Sequence, residues 1–143
     1  MRNILYLHGF ASSSDSTKAK LFKEFVNSHK NLNPITPDLP NNLIGWSKLI
    51  EELYEKHSPV AFIGSSMGGF YSTFFARKFG SIDILLNPAV SPAEGMKSYL
   101  GKNNNYATGE EFIMKNDEIE HLKLMEKKIN KNNYANDRTL VLL

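Results

Sequence analysis

Apolar and polar positions fall into blocks along this chain, and the blocks alternate in period. Asn3-Ile4-Leu5-Tyr6-Leu7 is a short, mostly apolar run that stops at His8-Gly9-Phe10. A strand without a polar face is buried on both sides, as in a parallel sheet. Ala11 to Asp15 is a serine-rich loop, with Ser14 or Asp15 as the cap of the next helix. Leu21, Phe22, Phe25 and Val26 then recur at helical spacing to about His29. Pro34-Ile35-Thr36-Pro37 reads as a very short strand, and Asp38-Leu39-Pro40 as a loop. From Asn41 or Asn42 a second helix carries Trp46, Leu49, Ile50, Leu53 and Tyr54 and ends at Pro59. Val60 to Ile63 is a third strand, and Phe70, Tyr71, Phe74 and Phe75 mark a helix running to Gly80. Ile82 to Leu86 is a fourth strand, stopped by Asn87-Pro88. Ser91-Pro92-Ala93-Glu94 has the form of a capping box with proline at the first helical position, opening a helix to about Leu100. Gly101 to Gly109 reads as a loop with three successive asparagines. Ile119, Leu122, Met125 and Ile129 form another helical stripe, Lys131 to Asp137 a polar turn, and Thr139 to Leu143 a fifth strand. Strands alternating with helices predict an α/β fold, three layers deep with a mostly parallel sheet.

Composition narrows the class. The 143 residues form a single expected domain, 1–143, and 41% hydrophobic with 22% charged residues is ordinary for a globular chain. A net charge of +2 gives no reason to expect nucleic acid or an anionic membrane as partner. With no cysteine, disulfides and thiolate metal sites are excluded. The first residues lack the basic and apolar regions of a signal peptide, so a cytoplasmic protein is the expectation.

The candidate chemistry lies at the third strand. Gly64-Ser65-Ser66-Met67-Gly68 fits G-x-S-x-G, with Ser66 central. A strand, a sharp turn and a helix is the context of a nucleophile elbow. Glycines flanking the turn let strand and helix approach closely. The N-terminal N–H groups of the following helix then favour an anion forming beside the serine hydroxyl.

Several motifs recur in order with this one. They are Leu5-Tyr6-Leu7-His8-Gly9-Phe10 with Ser12-Ser13, then Pro37-Asp38-Leu39-Pro40, then Gly64 to Tyr71, then Asn87-Pro88-Ala89-Val90 with Pro92, and Tyr99-Leu100-Gly101. Together they resemble the YqiA-type small α/β-hydrolase esterases along the whole chain. The resemblance implies a sheet of order 2-1-3-4-5 and hydrolysis of an acyl ester or thioester, a small-molecule substrate, without metal or organic cofactor. It implies Ser66 as nucleophile and the backbone N–H groups of Met67 and Phe10 as oxyanion hole. His8, Gly9, Gly64, Ser65 and Gly68 would support the site, His8 as a structural brace of its loop.

In that family a triad aspartate and histidine follow the strand matching Thr139 to Leu143, so the chain is expected to be a C-terminally truncated form. The histidines present are His8, His29, His57 and His121. His29 and His57 fall at helix C-termini, where a cation suits the dipole, at the end of the sheet away from ligands. His121 sits beside an apolar stripe in a packing or surface role. Asp38 reads as a loop brace, and Asp83 begins a strand on the wrong side of the sheet. A non-catalytic binding module that keeps the cleft, or a flavodoxin-like binding protein of the same strand order, is the alternative. The apolar strand Thr139 to Leu143 is expected at the sheet's edge, open to self-association.

Overall fold

The computed structural model describes residues 1–131 and 138–143. Five strands form one parallel sheet: β1 (Arg2–Leu7), β2 (Leu32–Ile35), β3 (Ala61–Ser65), β4 (Ile82–Leu86) and β7 (Thr139–Leu142). Their order is β2-β1-β3-β4-β7, the expected order once strands outside this sheet are set aside. The flanking helices are α1 (Thr17–Asn27), α2 (Leu43–His57), α3 (Met67–Phe79), α4 (Pro92–Met96) and α5 (Asn116–Lys131). The core gathers Leu5 and Leu7 of β1, Phe62 of β3, Trp46 and Ile50 of α2, Phe70, Tyr71 and Phe75 of α3, and Ile119 and Leu122 of α5. Each such side chain contributes roughly 1.5–3 kcal/mol by leaving water.

Besides a two-residue shift of β2, expected at Pro34 to Pro37 and found at Leu32–Ile35, the structure corrects the sequence reading in four places. The segment read as a loop from Gly101 to Gly109 begins with a strand, β5 (Gly101–Asn104), which pairs antiparallel with β6 (Glu111–Met114). Gly, Lys and Asn are poor strand formers, and only the cross-strand partner makes β5 a strand. The cap of α1 is Ser16, whose hydroxyl accepts the Ala19 N–H at 3.2 Å; Ser14 and Asp15 lie in the preceding turn. The buried face of α1 is Ala19 and Val26, with Phe22 stacked on Tyr6, while Leu21 and Phe25 are 60% and 65% exposed. The spacing 19, 22, 26 is as helical as 21, 22, 25, and contact with β1 selects it.

The fourth correction concerns residues 91–100. The Ser91 side chain makes no capping bond, and α4 gives way to a tight 3₁₀ turn over Lys97–Tyr99. The Ala93 N–H, in the first turn of α4, is satisfied from α5 instead, by Glu126 Oε1 at 2.9 Å. Glu94 turns outward to Lys97 at 2.7 Å. Glu118 does the same for α2, its Oε1 accepting the Leu43 N–H at 2.9 Å and its Oε2 the Lys115 N–H at 3.0 Å. The polar turn expected over Lys131 to Asp137 lies, from residue 132 on, outside the described residues.

Candidate active site

β3 ends at Ser65 and α3 begins at Met67, leaving Ser66 alone at the turn. Its backbone stands at φ 54°, ψ −116°, a region that L-residues rarely occupy and that costs about 1–3 kcal/mol. The surroundings hold it there. Ser66 N–H donates to the Leu86 carbonyl at 3.1 Å, and the Ser66 carbonyl accepts from Gly69 and Ala89 N–H, both at 2.9 Å. Such a turn needs close backbone approach. A Cβ at Gly64 would stand 2.1 Å from the Gly68 carbonyl oxygen, and one at Gly68 would stand 2.1 Å from the Leu7 carbonyl oxygen. Both sites exclude any side chain, and so they explain the glycines of the motif.

β1 pairs with β3 so that Leu7 faces Gly64, and the chain leaves both strands side by side. His8-Gly9-Phe10 therefore runs beside Ser65-Ser66-Met67, and an ideal Cβ on Gly9 would touch the Ser66 Cβ at 3.9 Å. Gly9, Phe10, Ser66 and Met67 line one cleft of about 490 Å³, closed on the far side by Ala89, Pro92, Met96, Tyr99 and Tyr106. Among the described residues no acidic or basic side chain lines it. Ser66 is exposed to this cleft, and its hydroxyl makes no helix-capping bond. Met67 is the first residue of α3, so its N–H has no intrahelical partner. Among the described residues the Phe10 N–H has no backbone acceptor either. Among the described residues the cleft is thus lined by the serine and by two residues, Met67 and Phe10, whose N–H groups have no backbone acceptor, which is what an attacking oxygen and a developing oxyanion would need.

His8 is buried outside this cleft. Its Nε2 accepts the Leu39 N–H at 2.9 Å, which leaves Nδ1 to donate to the Gly9 carbonyl at 2.7 Å. Both nitrogens are used to tie the loop after β1 to the loop after β2. Burial holds its pKa below the ordinary histidine value, against the opposing pull of Gly9 and Asp38. Ser65 is buried behind the turn. Asp38 braces the loop before α1 by accepting the Ser14 N–H at 2.7 Å. His121 Nε2 meets Ser47 Oγ at 2.8 Å between α5 and α2. His29 caps α1 through the Phe25 carbonyl at 2.9 Å, and His57 ends α2. Asp83 is buried at the start of β4, the end of the sheet opposite Ser66, where it accepts the Thr139 hydroxyl at 2.6 Å. Among the described residues, then, no imidazole or carboxylate hydrogen-bonds Ser66 Oγ.

A roomier cleft, about 560 Å³, lies beside the β5–β6 turn between Ser12, Asp38, Asn41 and Glu110. No serine at positive φ lines it, so the chemistry is better placed at Ser66. Among the described residues no helix is long and apolar enough to cross a membrane, and no cluster of His, Asp and Glu is placed to hold a metal ion.

Comparison with known proteins bears on this geometry. Residues 3–143 match the profile of Uncharacterised protein family (UPF0227). A UPF0227 protein of Serratia proteamaculans (strain 568) is 27% identical over 110 residues, which cover 72% of this chain and 59% of that protein. A substrate-bound structure of FphF, a fluorophosphonate-binding serine hydrolase of Staphylococcus aureus, superposes with a TM-score of 0.63 at 20% identity. It covers 99% of this chain and 63% of its own. The chain therefore spans about three fifths of the length of both relatives. The structural likeness establishes the α/β-hydrolase fold.

Proposed function

Since the chain belongs to the UPF0227 family, we propose that its fold is used for serine-nucleophile hydrolysis of acyl esters or thioesters. The observation that carries this reading is the strained, exposed Ser66 at φ 54° between β3 and α3. A fold keeps such strain where the conformation has a use. In the reaction, Ser66 Oγ bonds to the acyl carbon as a base takes its proton, and the carbonyl electron pair moves onto oxygen. The N–H groups of Met67 and Phe10 hold that oxygen. Collapse expels an alcohol or thiol, and water releases the acid. The uncharged lining of the cleft suits an uncharged acyl group.

The base would come from the part of the longer relatives that this chain does not span. Without it the 143-residue chain is expected to be a slow catalyst. Serine proteases stripped of triad members keep ~10³–10⁴-fold catalysis over water through binding and the oxyanion hole. The absence of a base at Ser66 among the described residues favours a second reading, a binding module that retains the cleft.

A fluorophosphonate separates the two. Its phosphorus is attacked by a serine oxygen with loss of fluoride, and hydroxide at pH 9 can take the proton. After prolonged incubation, peptide mass spectrometry is expected to find the adduct on Ser66 well above the other serines. Adducts spread evenly among serines, or none at all, would leave only the binding module.

A further inference from the structure

The run Asn103-Asn104-Asn105 has no part in the reading so far. Asn105 is 6% exposed, in a hairpin turn whose other residues face solvent. Its carboxamide is fully used. Nδ2 donates to the Ser12 carbonyl at 3.3 Å and to Asn41 Oδ1 at 2.9 Å. Oδ1 accepts from Ala107 and Thr108 N–H at 2.9 and 3.0 Å. Two donors and two lone pairs are all that an amide side chain has. The next residue continues the pattern, Tyr106 N–H donating to the Ala11 carbonyl at 2.8 Å. Consecutive hairpin residues thus hold the carbonyls of Ala11 and Ser12, the two residues that follow Phe10. Between them Ala11 stands at φ 55°, a conformation that persists only where neighbours impose it. The Phe10 ring packs edge-on to Phe112 of β6 at 5.7 Å and to Tyr99, in the 3₁₀ turn just before β5, at 5.5 Å.

We propose that Asn105 is a positioning residue for the oxyanion hole, fixing Ser12 and Ala11 so that the Phe10 N–H points into the cleft. This rests on the reading of Ser66 as nucleophile. The hairpin is then a strut of the site as well as its wall.

Asn105→Asp isolates the effect. It keeps the acceptor that holds the turn at Ala107 and Thr108, and replaces both donors with an oxygen facing the Ser12 carbonyl and Asn41 Oδ1. Two measurements are made on the whole 143-residue chain. In the first, the rate of phosphonylation of Ser66 is followed against fluorophosphonate concentration. The limiting rate is expected to fall about 10- to 100-fold, short of or equal to the ~10²–10³ for outright loss of an oxyanion donor. The half-saturating concentration should stay within about twofold, because the donor acts on charge that develops in the transition state. In the second, amide NMR is expected to show a shifted Phe10 resonance and about tenfold faster exchange over Ala11–Ser14, with β5–β6 amides still protected. If the wild-type chain takes no probe, the Ser66 reading fails and the NMR result alone decides the positioning. An unmoved Phe10 resonance with unchanged exchange over Ala11–Ser14 overturns the proposal, as does a limiting rate equal to wild type. Should Asn105→Asp not fold, Asn105→Ser, which keeps a turn acceptor, is read in the same two ways.

Discussion

Gly68 shows most plainly how single positions decide this site. Its missing side chain is what lets the Leu7 and His8 carbonyls lie against the start of α3, at 2.1 and 2.5 Å from an ideal Cβ. Gly68→Ala must push β1 away from α3, at a cost of about 3 kcal/mol or more. Chemical denaturation should show that loss, and Ser66 should lose its selectivity for fluorophosphonate in parallel. His8 acts through its protonation state. Its buried ring has one nitrogen accepting from Leu39, so the folded protein holds it neutral while the unfolded chain takes up a proton near pH 6.5. The unfolded state therefore binds more protons below that pH, and stability falls as the pH drops. His121, also lowered by burial, adds to the trend. Each contributes at most about 1.4 kcal/mol per pH unit. Melting curves from pH 7 to pH 5 should show the decline. His8→Gln, whose amide oxygen can accept from Leu39, should flatten it, and an unchanged slope would mean that His8 is not the group responsible. At this scale the sequence was readable where a residue's role is imposed by backbone geometry, as for Ser66, Gly64 and Gly68. His8 reads as a brace of its loop and is one, yet its partner Leu39, like the Ser12 and Asn41 partners of Asn105, lies tens of positions away, and a single residue type does not announce such partners.

Among the elements, α5 ties the others together by capping them. Glu118 accepts from the first residue of α2 and from its own Lys115, and Glu126 accepts from Ala93 in α4. Glu118 is 1% exposed, and its loss leaves the buried Leu43 N–H without an acceptor and frees the part-buried Lys115 N–H. Glu118→Ala is expected to cost about 2–4 kcal/mol, counting roughly 1–3 kcal/mol for the orphaned Leu43 donor and about 1 kcal/mol for the Lys115 cap. Glu126→Ala, at a half-buried site, should cost about 1 kcal/mol, in the range of an ordinary helix cap. Calorimetry of the two variants checks the ranking, and equal losses would show that α5 holds α2 by packing alone. These caps bear on why the element reading succeeded for α2, α3, α5, β1, β3, β4 and β7, placed β2 two residues late, and failed between residues 91 and 114. Strong apolar periodicity places an element from its own residues. Ser91 looked like a cap because the residues after it fit the box, yet the acceptor comes from a helix 35 residues on. The β5–β6 pair was hidden for a similar reason: Phe112-Ile113-Met114 is a short apolar signal, and nothing in Gly101–Asn104 marks its partner.

For the molecule as a whole, strand order was the most legible feature, since alternating strands and helices leave few ways to build a parallel sheet. Its edge carries a further prediction. Among the described residues β7 pairs only with β4, and Leu140, Val141 and Leu142 are each about half exposed, at 53%, 48% and 47%. No charged side chain after Arg138 discourages a second strand from pairing there. Light scattering across a concentration series is expected to show association of the 143-residue chain. Leu140→Lys with Leu142→Lys should return it to monomer, and a wild-type monomer at high concentration would contradict this. The cleft draws on segments spread along the chain: the loop after β1, the turn from β3 into α3, the stretch from Ala89 through α4 to Tyr99, and Tyr106 of the hairpin turn. Whether these segments converge to make Ser66 a nucleophile facing an oxyanion hole can be seen in a crystal structure of the fluorophosphonate-treated chain. Phosphorus is expected on Ser66 Oγ, with its phosphoryl oxygen about 2.7–3.1 Å from both the Met67 and Phe10 nitrogens. A phosphoryl oxygen turned to solvent, with either nitrogen beyond hydrogen-bond reach, would contradict it.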